Sequence, residues 1–181
     1  MKKLILIVLL IVSQQLFSQP KTDDRFIQNF YITCKAEKYT AFNLMNVGIS
    51  RFDWGQYNRA INKFNKSLEK DSTLCDSWYL LGYSYQKLKD FNKSVESCKK
   101  AIEMNHNSYS AYNIMGYSYI YLNDTTAALK SFESGKNIYP EKIDSYYGIS
   151  LIKYWQNDFN GAIKEFSEFE KNKSGDISKK D

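Results

Sequence analysis

Apolar and polar residues alternate at helical spacing from residue 41 to about 174, and the pattern repeats every 34 residues. Leu80-Leu81-Gly82-Tyr83-Ser84-Tyr85 returns as Ile114-Met115-Gly116-Tyr117-Ser118-Tyr119, and the same interval leads back to Gly48 and forward to Ser150. A fixed period of this length marks stacked supersecondary units. Numbered from 1, the units begin at Ala41, Cys75, Tyr109 and Ile143. Position 4 (Leu44, Trp78, Tyr112, Tyr146) and position 7 (Val47, Leu81, Met115, Ile149) share one helical face. Position 8 is Gly48, Gly82, Gly116 and Ser150. Glycine in mid-helix costs about 1 kcal/mol, so it needs a packing reason, and the close approach of a second helix supplies one. That helix follows a polar break such as Lys89-Asp90 or Asn123-Asp124. At position 20 it carries Ala60, Ser94, Ala128 and Ala162, expected to face position 8, and at position 24 Phe64, Cys98, Phe132 and Phe166, expected to fill the space between the helices. The pattern predicts an all-α chain of four helix-turn-helix units, 41–74, 75–108, 109–142 and 143–174.

The flanks read differently. Residues 19–40 form an N-terminal segment in which Thr22-Asp23-Asp24 can cap a helix over 22–39, with Phe26, Phe30 and Cys34 on one face to cover the first unit. The β-prone run Phe30-Tyr31-Ile32-Thr33 makes a strand the alternative. Residues 175–181 are too polar to bury and are expected to be a disordered tail. On the last helix, Phe159, Ile163, Phe166 and Phe169 are expected to pack inward on their own unit; a docked partner or second copy is the alternative.

Lys2 and Lys3, the apolar run Leu4 to Val12 and Ser18 have the layout of a signal peptide over residues 1–18, with an uncleaved anchor as the other reading. No cysteine follows the run until Cys34, which argues against a lipid-modified start and for a periplasmic or secreted chain. Losing Lys2 and Lys3 lowers the formal charge from +5 to +3. The outward positions of the second helices mix signs, as in Lys99 and Lys100 beside Glu96 and Glu103, so no nucleic-acid partner is expected. Cys34, Cys75 and Cys98 are an odd set for an oxidising compartment, so at least one thiol is unpaired. Cys98 stands where an aromatic would and reads as a buried small hydrophobe. A Cys75–Cys98 bridge looks badly placed, and no disulfide within a unit is expected.

The series W-x-x-L-G-x-x-Y then A-x-x-x-F-x-x-A resembles the tetratricopeptide repeat. The second unit carries it as Trp78, Leu81, Gly82, Tyr85, Ser94, Cys98 and Ala101, and the third as Tyr112, Met115, Gly116, Tyr119, Ala128, Phe132 and Gly135. The outer units depart from it, at Arg51 in the first and at Ser150, Lys153, Phe169 and Glu170 in the fourth. The resemblance implies a right-handed α-solenoid of about four repeats with an N-terminal capping helix. It also implies a concave groove lined by positions 2, 5, 9, 12 and 13 of the first helices. Those positions supply the candidate ligand-binding residues Tyr79, Tyr83, Asn113, Tyr117, Tyr121, Tyr147 and Tyr154. Tyrosine offers large area, few rotatable bonds and a hydroxyl tip, which suits a peptide or a sugar chain; the alternative is that several rings only pack between units.

Chaperone-binding members of the family clamp a terminal carboxylate with cations, but the comparable places here hold Met45, Ile49, Tyr83 and Tyr117, and Lys87 is the only groove cation. No catalytic residue, metal site or cofactor is expected. His106 falls in a turn, no Cys and His stand at metal-ligand spacing, and no glycine loop cradles phosphate. The reading is an exported, non-catalytic scaffold that binds another protein or peptide in an envelope-associated assembly and meets the membrane only by association. Its alternatives are a carbohydrate-binding module and a homodimer formed through the last repeat.

Overall fold

A computed structural model describes Cys34 and residues 38–177, with side chains to residue 172. The described residues form eight helices: α1 Tyr39–Asp53, α2 Tyr57–Lys70, α3 Cys75–Lys87, α4 Phe91–Met104, α5 Tyr109–Tyr121, α6 Thr125–Ile138, α7 Ile143–Trp155 and α8 Phe159–Ile177. No strand occurs among them. Each helix packs on the next, and each odd helix also touches the odd helix of the following unit. The even helices pack chiefly on odd ones, which puts α1, α3, α5 and α7 side by side on the inner face of an α-solenoid. No described helix is long and apolar enough to cross a membrane. The expected signal peptide lies outside the described residues, as does the capping helix apart from Cys34, which sits in a bend, and Lys38 and Tyr39. At the other end α8 runs to Ile177, past the expected end of the fourth unit at 174.

The turn inside each unit is the same backbone device used four times. Position 15 is Gly55, Lys89, Asn123 and Asn157, with φ of 70°, 63°, 60° and 63°. In each copy the N–H of position 15 donates to the carbonyl of position 12, and that of position 16 donates to position 11, as from Lys89 to Gln86 and from Asp90 to Tyr85. This closes the first helix of the pair by satisfying its last carbonyls. Three of the four copies then start the second helix with an aspartate cap: Asp90, Asp124 and Asp158 accept from the N–H of Lys93, Ala127 and Gly161. Only the first copy has glycine at the left-handed position. Lys89→Gly is therefore expected to stabilise the chain by about 0.5–1 kcal/mol, read as a higher urea midpoint at unchanged slope.

Position 8 faces position 20 as expected in the second and fourth units, whereas in the first and third the nearest atoms belong to the ring at position 24. A Cβ on Gly48 would stand 2.5 Å from the Phe64 ring, and one on Gly116 would stand 2.7 Å from Phe132. The glycine thus makes room for the ring at position 24, not chiefly for the small residue at position 20. Position 20 is fully buried beside it in the first three units. In the second unit Cys98 replaces the ring, and a Cβ on Gly82 would meet Cys98 Sγ at 2.7 Å and the Ser94 carbonyl at 3.0 Å. In the fourth, Ser150 Oγ donates to the Ala162 carbonyl instead.

The last pair is tied to the third by charge as well as by packing. Glu165 on α8 is buried and accepts from Lys153 of α7 at 2.6 Å and Lys136 of α6 at 3.1 Å. Burial alone would raise its carboxyl, but the two lysine hydrogen bonds outweigh it and hold the group below its ordinary value. Phe169 packs inward on Tyr146, with ring centroids 5.7 Å apart, whereas Phe159 stays 47% exposed at the start of the helix.

Candidate functional site

The candidate residues fall on the inner helices α3, α5 and α7, and the structure divides them by depth. Tyr79 and Asn113 are buried. Asn113 links neighbouring units: its Oδ1 accepts from Ser145 Oγ at 2.9 Å, and its Nδ2 donates to the Tyr109 carbonyl. Tyr83 is half-buried, its ring 4.8 Å from that of Phe52 in the unit before, and Lys87 Nζ lies 5.0 Å over it. Tyr117 is half-buried and meets Phe132 edge-on at 4.9 Å, so its ring belongs partly to the core. Tyr121 is 52% exposed, with one ring face stacked on Phe91 at 4.5 Å. Tyr154 is half-buried against Phe159. From the second unit on, position 13 is therefore the open rail of the inner face, with Lys87, Tyr121 and Trp155 all exposed, whereas Asp53 of the first unit is half-buried.

Deeper in the face, two tyrosine hydroxyls converge on Asp144. Tyr109 Oη donates to Asp144 Oδ2 at 2.8 Å, and Tyr117 Oη donates to the Asp144 backbone carbonyl at 3.3 Å. One turn on, Tyr147 is buried and its hydroxyl has no hydrogen-bond partner. Burial, followed by the nearby Asp144 charge, pushes the Tyr109 and Tyr117 hydroxyls far up. Burial, then Tyr57, then Asp144 push Tyr83 up to about 12. Sequence reasoning placed Asp144 on the groove but passed over Tyr109. Position 1 of one unit reaches position 2 of the next only once the units are stacked.

These shifts have a direct consequence at high pH. A tyrosine whose folded value exceeds its unfolded one contributes stability that is fully present below the unfolded value of 10.0 and is lost as pH rises through the folded value, about 12 for Tyr83. The urea midpoint should fall between about pH 10 and pH 12. Tyr83→Phe should remove part of that fall, and an identical profile in the variant would refute the burial of this hydroxyl.

Cys34 and Cys75 form a disulfide with Cα atoms 5.7 Å apart, and the Cys34 N–H donates to Asp76 Oδ2 at 3.0 Å. The sequence left the pairing open; Cys98 is the buried free thiol. The two sulfurs and the Asp76 carboxylate lie within 4.8 Å of one another, but sulfurs joined to each other offer no thiolate to a metal. His106 is exposed in the turn between α4 and α5.

Tetratricopeptide-repeat family models match residues 75–108 and 109–142, the second and third units. The crystal structure of MamA superposes with a TM-score of 0.70 at 22% identity over 76% of this chain and 81% of that one. The first repeat domain of Spaghetti (RPAP3), bound to the HSP90 peptide SRMEEVD, gives 0.65 at 21% identity over 67% and 97%. The second repeat domain of human RPAP3, in complex with the HSP70 peptide SGPTIEEVD, gives 0.61 at 21% over 63% and 95%. No curated protein matches the chain in sequence. The family models identify the second and third units as tetratricopeptide repeats, and the whole described stack of helix pairs has the α-solenoid fold of that family.

Proposed function

We propose that the chain is an exported, non-catalytic scaffold that binds an extended segment of another protein along its inner face, within an envelope-associated assembly. The observation that carries the reading is the open rail of Lys87, Tyr121 and Trp155 running beside deeper tyrosines, one of which, Tyr147, keeps a buried hydroxyl without a partner. Large rings with few rotatable bonds lose little entropy on binding, and a polar tip among them suits a peptide's hydrogen-bonding groups. The peptide-bound repeat domains of RPAP3 lend the fold-level precedent. Export is supported by the Lys2-Lys3 start and its apolar run, and by the Cys34–Cys75 disulfide, which belongs to an oxidising compartment.

The test is affinity capture by the full chain from an envelope extract of the native cell, beside Tyr121→Ala/Trp155→Ala. These two rings are about half exposed, so the double variant should stay folded and lose little beyond the Tyr121–Phe91 stack. Tyr117 is unsuited to the purpose because it packs on Phe132. A protein recovered by the parent and lost by the variant is the expected result. Recovery of glycan in its place would move the assignment to a carbohydrate module, and recovery of the chain alone would move it to a homodimer.

A further inference from the structure

Asp144 sits in the first turn of α7, half-buried, and no lysine or arginine among the described residues pairs with its carboxylate. The nearest cation in sequence, Lys142, lies over the rings of Tyr109 and Tyr139 at 5.0 and 4.9 Å. Glu165 on α8 shows the usual solution for a buried carboxylate: it takes two lysines. A desolvated carboxylate without a countercharge is costly. The amide dipoles at the start of α7 and the Tyr109 hydroxyl offset part of that cost. Its neighbours are tyrosine hydroxyls: that of Tyr109 donates to the carboxylate and that of Tyr117 to the Asp144 backbone carbonyl. Tyr147 stands three residues on, along the same face of α7. It is nine-tenths buried, its hydroxyl has no hydrogen-bond partner, and it is near enough to the Tyr117 hydroxyl to act on it electrostatically.

A carboxylate without a countercharge, with an unpartnered hydroxyl along the same helix face, is the chemical complement of an organic cation, which gains from the charge and from the free acceptor. We propose that Asp144, Tyr109, Tyr117 and Tyr147 receive one basic side chain, lysine or arginine, of the bound segment. The Tyr147 hydroxyl then accepts a hydrogen bond from the incoming ammonium or guanidinium. The inference rests on the peptide-binding reading above and adds the charge of the ligand, opposite in sign to one that a cationic clamp would take.

The experiment pans a displayed random octapeptide library on the full chain, on Asp144→Asn, and on Tyr121→Ala/Trp155→Ala. Asparagine keeps an acceptor for Tyr109 and removes the charge. Peptides selected by the parent should carry lysine or arginine at one fixed place. Replacing it by norleucine or citrulline should weaken binding by about tenfold or more, and Asp144→Asn should bind charged and neutral forms alike. Tyr147→Phe, which removes only the hydroxyl, should weaken the basic peptide several-fold and leave the neutral one unchanged. Selected peptides without a fixed basic residue, or equal losses for both forms, would overturn the cation site while leaving the groove intact. Failure of the parent to select any peptide that the rail variant loses would overturn the groove as well.

Discussion

Gly116→Glu should leave the chain unfolded at room temperature. The Phe132 ring is completely buried, and it is held from two sides: a Cβ on Gly116 would stand 2.7 to 2.9 Å from ring atoms, and a Cβ on Gly148 would stand 2.5 to 2.6 Å from others. A ring gripped between the first helix of its own unit and the first helix of the next cannot step aside. The substitution therefore combines overpacking with a buried, unpaired carboxylate, a cost of more than about 5 kcal/mol, which is comparable with the whole stability of a domain this size. Phe132→Ala should cost about 3–5 kcal/mol through the cavity it leaves. The two sites should also couple: Gly116→Ala in a Phe132→Leu background should cost less than in the parent, because the shorter side chain frees the space that the new methyl needs. Urea unfolding of the four chains reads the coupling directly, and a Gly116→Glu chain that melts normally would refute the packing of the stack.

Breaking the Cys34–Cys75 bond should be the next largest effect. The bond joins residues 41 apart and anchors Cys34 to the first turn of α3, where Asp76 also accepts its N–H. Opening a loop of this length frees the unfolded chain by about 2–4 kcal/mol, equivalent to a melting temperature lower by about 5–15 °C. Cys34→Ser should show that loss and become insensitive to reductant. The denatured parent should titrate with one free thiol, Cys98, whereas three thiols would show that the bond does not form. Cys98 itself is fully buried and its thiol is pushed far up by that burial, so it should resist modification until the chain unfolds.

Which features could be read from the chain, and which could not, follows from their range. The period was legible because the copies share local demands: a small residue at position 8 in all four, a left-handed residue at position 15 in all four, and an aspartate cap at position 16 in three. The two inner copies, where every demand is met by neighbours on both sides, are also the two that the family models match. Contacts between different copies were not legible. Tyr109 meets Asp144, and Ser145 meets Asn113, across 35 and 32 residues, with nothing in either local pattern to announce the pair. Asn113 was read as facing a ligand but spends its amide holding two units together. The disulfide escaped for a similar reason, since Cys34 lies outside the repeating register and no spacing rule connects it to Cys75. Depth within the groove also needed the stack: position 13 is open at Tyr121, whereas position 5 is buried at Tyr79 and Tyr147.

The most direct test of the inner face as the binding surface is site-specific photo-crosslinking in the native cell. A benzophenone side chain placed at Tyr121, on the open rail of α5, is compared with one at Lys99, exposed on the second helix α4. Adducts to a partner protein from Tyr121 and none from Lys99 are predicted. Adducts from Lys99 with none from Tyr121 would contradict the inner face as the place where this solenoid binds.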